Sequence, residues 1–336
     1  MPQDPAGRVL ARPITPMLAT LGTVADVDDS DDSWSFEMKW DGIRAIATVS
    51  GGEVTLATRN GNDVTATYPD LVAALAERVG TDAHGGAEVV LDGEIVALNK
   101  AGRPDFGRLQ GRMGLTRPRD VEPAVKAIPV DYMLFDILAA GAGSIVGEEY
   151  TVRRGALEAT VREGGRVHIP PAFHGDLDAA VESSRELGLE GVVAKKRDST
   201  YALGRRSRAW IKIKHHKTQE VVIGGWRPGN GRRANTIGSL LMGVPIDGTL
   251  RYVGRVGTGF ADRDLDLIFA RLARLGRATT PFADVPATDA RDAHWVTPTL
   301  VGEVEFAEWT SDERLRQPTW RGWRTDKAAG DVVREG

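Results

Sequence analysis

FEMKWDGIR, residues Phe36 to Arg44, sets Lys39 in a strand-like run between Glu37 and Asp41. Apolar positions around it extend the run from Ser35 to Val49, and a second strand-like run covers Glu53 to Thr58. Ser50-Gly51-Gly52 between them is a hairpin signal. Lys39 is then either a surface charge on an amphipathic strand or a nucleophile. The Lys-x-Asp-Gly match alone does not separate the two, since random composition supplies one in roughly a tenth of chains this long.

Downstream, Tyr68 to Arg78 has helical spacing, Ala87 to Leu98 returns to strand around Asp92-Gly93-Glu94, and Ile128 to Leu138 is a buried strand. Arg153 to Arg162 and Leu177 to Leu187 read as helices, and Gly191 to Lys195 and Ala209 to Lys214 as strands. Helices and strands mix without strict βαβ alternation, which predicts an α+β domain with mainly antiparallel sheets over residues 1–217, its N-terminal part an extended lead. After about Lys217 the texture changes to short strands (Gln219 to Trp226, Ile237 to Val244, Leu250 to Val256, Gly302 to Trp309) with one helical pattern, Asp262 to Leu275. That predicts a small Greek-key barrel of the OB-fold type over residues 218–336. A basic loop, Arg227 to Arg233, lies near its start.

Two domains also suit a length of 336 residues. With no cysteine, the chain cannot build a disulfide framework, a cysteine-ligated zinc site or a thiol nucleophile. Its apolar runs are too short to cross a bilayer and the N-terminus lacks a signal-peptide stretch, so no membrane role and a cytoplasmic location are expected. The net charge is -4, yet Lys195 to Arg233 holds twelve Lys/Arg against two acids, Asp198 and Glu220. Asp26 to Asp32, with five aspartates, reads as a solvated loop. A basic tract on an acidic protein fits an enzyme that holds a polyanion in one groove; a solvated basic face is the alternative.

Further islands follow Lys39 in a set order: Thr58-Arg59-Asn60-Gly61, Leu91-Asp92-Gly93-Glu94-Ile95, Leu134-Phe135-Asp136, Glu190-Gly191-Val192-Val193-Ala194-Lys195, Trp210-Ile211-Lys212-Ile213-Lys214 and Arg324-Thr325-Asp326-Lys327. The set resembles the covalent nucleotidyltransferases, and most closely the ATP-dependent DNA ligases of the bacterial end-joining ligase D type. The resemblance runs from Arg12-Pro13 to Lys327 and implies an adenylation domain followed by an OB domain. Trp40 stands where Tyr or Leu is usual in that family.

The physical chemistry agrees with the roles this resemblance implies. A free lysine has a pKa of about 10.4, so a nucleophilic Lys39 needs neighbouring cations or desolvation to shed its proton. Lys212 and Lys214 alternate with Ile211 and Ile213, which puts two ammonium groups on one strand face. By resemblance they contact the nucleotide α-phosphate and stabilise charge developing on phosphorus. Glu94 and Glu190 flank glycines at strand edges; the resemblance places Glu94 at the ribose and a divalent metal, Mg2+ or Mn2+, and Glu190 at that metal. Phe135, ending an apolar strand, corresponds to the aromatic that stacks on adenine; a core phenylalanine is the alternative. Glu37 resembles the residue reading adenine from the pocket edge. Arg44 and Arg59 match arginines at the ribose and at the nicked strand's phosphate. Lys195 and Arg206 complete the implied ATP/AMP contacts. Arg324, Asp326 and Lys327 resemble the motif that orients pyrophosphate when the second domain closes over ATP.

The implied activity is ATP-dependent sealing of 5′-phosphate/3′-hydroxyl nicks in double-stranded DNA through a lysyl-AMP, in repair or end joining. A monomer is expected, with a Ku-type end-binding protein as partner. An NAD-dependent ligase would need a cysteine zinc module that this chain cannot make. RNA ligases and GTP-using capping enzymes share most motifs, and a catalytically silent nucleic-acid-binding module is a further alternative. The resemblance leaves no segment for a separate N-terminal DNA-binding domain, a polymerase or a nuclease, so a stand-alone enzyme and one module of a longer protein are both compatible.

Overall fold

The computed structural model describes residues 10, 12–27, 32–79, 88–141, 143–229 and 236–335. Asp28, Asp29 and Asp31 of the aspartate-rich loop and residues 230–233 of the basic loop lie outside them. The chain divides into two compact units, Met1–His215 and His216–Gly336.

The strands of the first unit among the described residues are β1 (Leu18–Gly22), β2 (Trp34–Lys39), β3 (Ile43–Ser50), β4 (Glu53–Thr58), β5 (Val89–Ala97), β6 (Val130–Ala140), β7 (Gly143–Ser144), β8 (Val167–His168), β9 (Ala172–His174), β10 (Gly191–Lys196) and β11 (Arg206–Lys214). They form two sheets, ordered β1-β11-β10-β2-β9 and β4-β3-β5-β6-β7, with β8 beside β6. Among the described residues, only β1 with β11 and β6 with β8 pair in parallel. Helices α1 (Pro69–Arg78), α2 (Phe106–Gln110), α3 (Pro118–Ala127), α4 (Tyr150–Thr160) and α5 (Leu177–Glu186) complete the unit. The unit is thus α+β with mainly antiparallel sheets, as the sequence predicts. Helices α2 and α3 were not legible, being short and, in α3, carrying Pro123 inside the helix.

Three apolar clusters set the layers. One joins the inner face of β3, β4, β5 and β6 to Leu71 and Leu75 of α1 and Leu157 of α4. A second places Phe36, Val192, Ala194, Ile211 and Ile213 under Leu177, Ala180 and Val181 of α5. The third holds Ile46, Val90 and Leu138 of one sheet against Trp210 of the other, so the two sheets face each other. Each large aliphatic side chain buried this way stabilises the unit by about 1.5–3 kcal/mol.

The Ser35-to-Val49 run is two strands, in different sheets. The chain leaves β2 after Lys39 and enters β3 at Ile43, and Gly42 makes the passage: a Cβ there would lie 2.1 Å from the Ile95 carbonyl oxygen. Apolar alternation changes parity across the break, from Phe36, Met38 and Trp40 to Ile43, Ala45 and Ala47, but the two runs abut, which is why the sequence reading joins them. The Ser50-Gly51-Gly52-Glu53 hairpin is present, with Gly51 and Gly52 at φ +57° and +86°, the backbone that a tight hairpin turn requires.

The second unit is a five-stranded antiparallel sheet of β12 (Lys217–Pro228), β13 (Ile237–Ile246), β14 (Thr249–Val256), β15 (His294–Phe306) and β16 (Thr319–Trp323), ordered β14-β13-β12-β15-β16. Helix α6 (Asp262–Ala273) follows β14, and the short α7 (Ala287–Ala290) precedes β15. Leu265, Ile268 and Leu272 of α6 share a core with Val222, Leu240, Val253 and Val304. This architecture is consistent with an OB-fold. The expected strand Gly302 to Trp309 begins earlier and ends at Phe306, and β16 is additional.

Candidate active site

Lys39 is the last residue of β2, and the crossing at Gly42 places Arg44 one strand into the facing sheet. In the first sheet, β10 pairs Gly191 with Lys39, Val193 with Glu37 and Lys195 with Ser35. On its other side, β10 pairs the same residues with Lys214, Lys212 and Trp210 of β11. A Cβ on Gly191 would stand 2.0 Å from the Ile213 carbonyl oxygen, so only glycine permits this approach. Alternation then turns Lys39, Glu37, Lys212 and Lys214 to one face, while Ile211 and Ile213 enter the core on the other.

Lys39 Nζ forms an ion pair with Glu190 Oε2, and Lys214 Nζ lies 3.1 Å from Glu190 Oε1. Burial alone would raise the Glu190 pKa, but the two ammonium groups outweigh it and hold the carboxyl well below its usual range. Glu190 is therefore an ionised, hard-oxygen group that already balances two positive charges. That chemistry fits a divalent cation bound through one or two carboxylates together with phosphate oxygens and water. No group of three or more His, Asp or Glu suited to holding a metal occurs among the described residues. Glu94 sits inside the central strand β5, not at a strand edge, and is paired in register with Arg44 on one side and Met133 on the other.

Glu37 is 5% exposed and its carboxylate is taken up from three directions. Tyr150 donates its hydroxyl to Oε1 at 2.5 Å, Lys195 Nζ lies 2.8 Å from Oε2, and Arg154 Nη1 is 3.8 Å from Oε1. Lys195, expected at the nucleotide, is 1% exposed and faces protein on all sides. It donates to the Phe135 carbonyl at 3.1 Å and lies 4.7 Å and 4.3 Å from the ring centroids of Phe135 and Trp210. Burial pulls its pKa down against the opposing pull of Glu37 and Asp136. Lys195 thus ties Glu37 to Phe135 rather than presenting a charge to an open pocket. Phe135 does not end its strand; β6 continues to Ala140.

Arg44 is held as a fork. Nε and Nη2 donate to Asp92 Oδ1 and Oδ2 at 2.9 and 2.6 Å, and Nη1 donates to the Met17 carbonyl at 2.7 Å. Tyr201 donates to Asp92 Oδ2 at 2.5 Å and accepts from Arg44 Nη2 at 3.2 Å. Arg59 donates its backbone N–H to the Arg44 carbonyl, which sets it beside this fork. Arg206 is exposed and donates to the Ala19 carbonyl at 2.5 Å, on β11 toward β1 rather than within the Lys39–Glu190 group. Behind the site, buried Asp136 takes both arms of Arg153 at 2.8 and 2.9 Å.

Arg324, Asp326 and Lys327 belong to the second unit, just after β16. Arg324 grips Asp326 with Nε and Nη2 at 3.0 and 2.8 Å, and Lys327 Nζ lies 2.7 Å from Glu220 Oε1. Sequence reasoning missed Tyr150, Tyr201 and the holding role of Asp92. Only Asp92, within the Leu91-to-Ile95 island, carried a local signal; the tyrosines reach the site from distant segments.

Residues 16–214 match the model of the ATP dependent DNA ligase domain, and residues 233–327 that of the ATP dependent DNA ligase C terminal region. The chain belongs to the ATP-dependent DNA ligases. Among curated relatives, this ligase is 46% identical over 323 residues to the multifunctional non-homologous end joining DNA repair protein LigD of Mycobacterium tuberculosis, covering 96% of this chain and 40% of that protein. It is 33% identical over 337 residues to a probable DNA ligase of Anaeromyxobacter dehalogenans, covering 96% of this chain and 62% of that one. The ligase thus spans about two fifths of the length of the mycobacterial relatives. A solved mycobacterial DNA ligase D complexed with ATP and MES superposes with a TM-score of 0.66 at 42% identity, covering 96% of this chain and 98% of that one.

Proposed function

We propose that this ligase seals nicked double-stranded DNA in three displacements at phosphorus, within bacterial end joining. Lys39 attacks the α-phosphate of ATP, forming the phosphoramidate of lysyl-AMP as pyrophosphate leaves. The 5′-phosphate at the nick then attacks that AMP and releases Lys39. Last, the 3′-hydroxyl attacks the adenylated 5′-phosphate, and AMP leaves. Positioning and charge neutralisation are the main contributions a protein makes to such steps.

The observation that carries this reading is the Lys39–Glu190–Lys214 group at the end of β2. Lys39 must leave Glu190 and lose its proton to attack, while Lys212 and Lys214 neutralise the phosphate oxygens. Glu190, held ionised, and Glu94 would hold magnesium or manganese. Such a metal, when bound, screens the charge of the triphosphate. Glu37 and Phe135 bound the adenine, Arg44 takes the ribose with its fork preset by Asp92, and Arg59 and Arg206 serve the phosphates of nucleotide or nick. Lys195 acts on the nucleotide through Glu37 and Phe135. We assign adenylation to residues 1–217 and to residues 218–336 an OB domain whose Arg324, Asp326 and Lys327 orient pyrophosphate. The end-joining role, a Ku-type partner and a monomeric state rest on the resemblance to ligase D.

Incubation with α-labelled ATP or GTP and magnesium, followed by mapping of the label and a chase with nicked DNA or RNA duplex, tests the reading. AMP on Lys39 that passes to nicked DNA is expected. Label from GTP in preference to ATP, or AMP on another residue, would overturn it.

A further inference from the structure

Glu220 on β12 and Glu303 on β15 stand directly opposite each other in the antiparallel register, where like charges repel. Their side chains are only 13% and 9% exposed, so water does little to relieve the repulsion. Arg324 relieves it instead. Its Nη1 lies 3.2 Å from Glu303 Oε2 and 3.7 Å from Glu220 Oε1, while Lys327 Nζ takes Glu220 Oε1 at 2.7 Å. Arg321 Nε approaches the other Glu303 oxygen at 3.7 Å. The backbone builds the arrangement: Gly322 of β16 pairs with Glu303, Arg324 N–H donates to the Val301 carbonyl at 2.8 Å, and Lys327 N–H turns back to the Arg324 carbonyl at 3.1 Å.

We propose that Glu220 and Glu303 are positioning residues that hold Arg324 and Lys327 in reserve, and that the triphosphate of ATP engages these two cations only by displacing the two carboxylates. The proposal rests on the pyrophosphate-orienting role assigned above to Arg324 and Lys327. Each of the three guanidinium nitrogens of Arg324 is aimed at a carboxylate: Nε and Nη2 at Asp326, Nη1 at Glu303. A phosphate oxygen therefore competes with Glu303 for Nη1. Asp326 grips the opposite edge of the fork and keeps its plane while Nη1 changes partner. Lys327, a point charge on a flexible stem, exchanges Glu220 for phosphate in the same way. One oxyanion replaces another, no covalent bond changes, and when pyrophosphate departs the carboxylates take the cations back.

The test varies ATP in the adenylation step for the wild type, Glu220→Gln, Glu303→Gln and Arg324→Ala. Each Gln variant is expected to lower the KM for ATP about fivefold, and the pyrophosphate concentration that half-reverses adenylation is expected to fall with it. Sealing by pre-adenylated protein, which uses neither anion, gives the reference rate. Glu303→Asp, which keeps the charge, is expected to return the KM toward the wild-type value. A merely structural carboxylate pair would change melting temperature without lowering the KM. A KM at or above wild type in the folded Gln variants overturns the proposal, and either variant alone suffices if the other does not fold. If Arg324→Ala adenylates like wild type, the pyrophosphate role falls as well; if it loses adenylation while the Gln variants match wild type, only the reserve role falls.

Discussion

Lys39 and Lys214 share one carboxylate, Glu190, with Lys39 on Oε2 and Lys214 on Oε1. Removing that carboxylate leaves two ammonium groups facing each other with little water between them. Glu190→Gln is therefore expected to destabilise the first unit by about 3 kcal/mol, read by urea unfolding, and to abolish detectable lysyl-AMP. Lys39→Ala is expected to abolish lysyl-AMP while leaving a folded protein. A Lys39→Ala variant that still takes up labelled AMP would remove Lys39 from the reaction.

Lys195 and Glu37 form a buried pair whose value shows only when one partner is removed. Lys195→Met takes the nearest cation from Glu37 Oε2 and leaves only Tyr150 and the more distant Arg154 on Oε1, and is expected to cost about 3 kcal/mol. Adding Glu37→Gln to that variant is expected to recover at least half of the loss. Recovery of less than half of the loss in the double variant, read by urea unfolding, would show that Lys195 does not stabilise the unit through Glu37.

Asp92 and Tyr201 preset the Arg44 fork. Asp92→Ala removes the carboxylate from the fork and leaves Arg44 held only by the Met17 carbonyl and the Tyr201 hydroxyl among the acceptors described above, and the KM for ATP in adenylation is expected to rise at least about tenfold, a loss of ~1.4 kcal/mol. Tyr201→Phe removes two hydrogen bonds, the one donated to Asp92 and the one accepted from Arg44, and is expected to raise it about fivefold, on the order of 1 kcal/mol. Equal KM values in Asp92→Ala and the wild type would separate Arg44 from nucleotide binding.

The Asp131 carboxylate, 3.6 Å from His168 Nε2 on β8, outweighs partial burial and raises the imidazole pKa above the usual histidine value. A raised native pKa means the folded state binds the proton more tightly than the unfolded state does. Stability from this pair is complete below the unfolded value of about 6.5 and is lost as pH rises through the higher native value. Because the imidazole is 39% exposed, screening limits the effect to a few tenths of a kcal/mol. Thermal melting in the wild type is expected to fall slightly from pH 6 to pH 8, and Asp131→Asn to flatten that slope.

Much of this was legible locally. The hairpin at Gly51-Gly52, the strand of alternating Lys212 and Lys214, and helices α1, α4 and α5 follow from periods of 2 and 3.6 that any segment carries by itself. The break after Lys39 was not, because the apolar runs on its two sides abut with only a parity shift at Gly42, and the constraint lies with the distant Ile95 carbonyl that presses on Gly42. The neighbours of Lys195 were hidden for the same reason: its partners Glu37, Phe135 and Tyr150 are 45 to 158 residues away along the chain.

By itself, then, the sequence determined which chemical groups this ligase owns and in what order they occur: one lysine in FEMKWDGIR, glutamates beside glycines, two alternating lysines and a terminal RTDK. It also determined the α+β class with a barrel-like second unit. Only the tertiary structure decided what each charge faces. Glu190 meets two lysines, Lys195 is enclosed beneath Phe135, and Glu220 stands opposite Glu303 with Arg324 between them. Periodicity fixes the face of an element on which a side chain lies, but the partner across that face is set by strand register and sheet packing, which arise from contacts far apart in the chain.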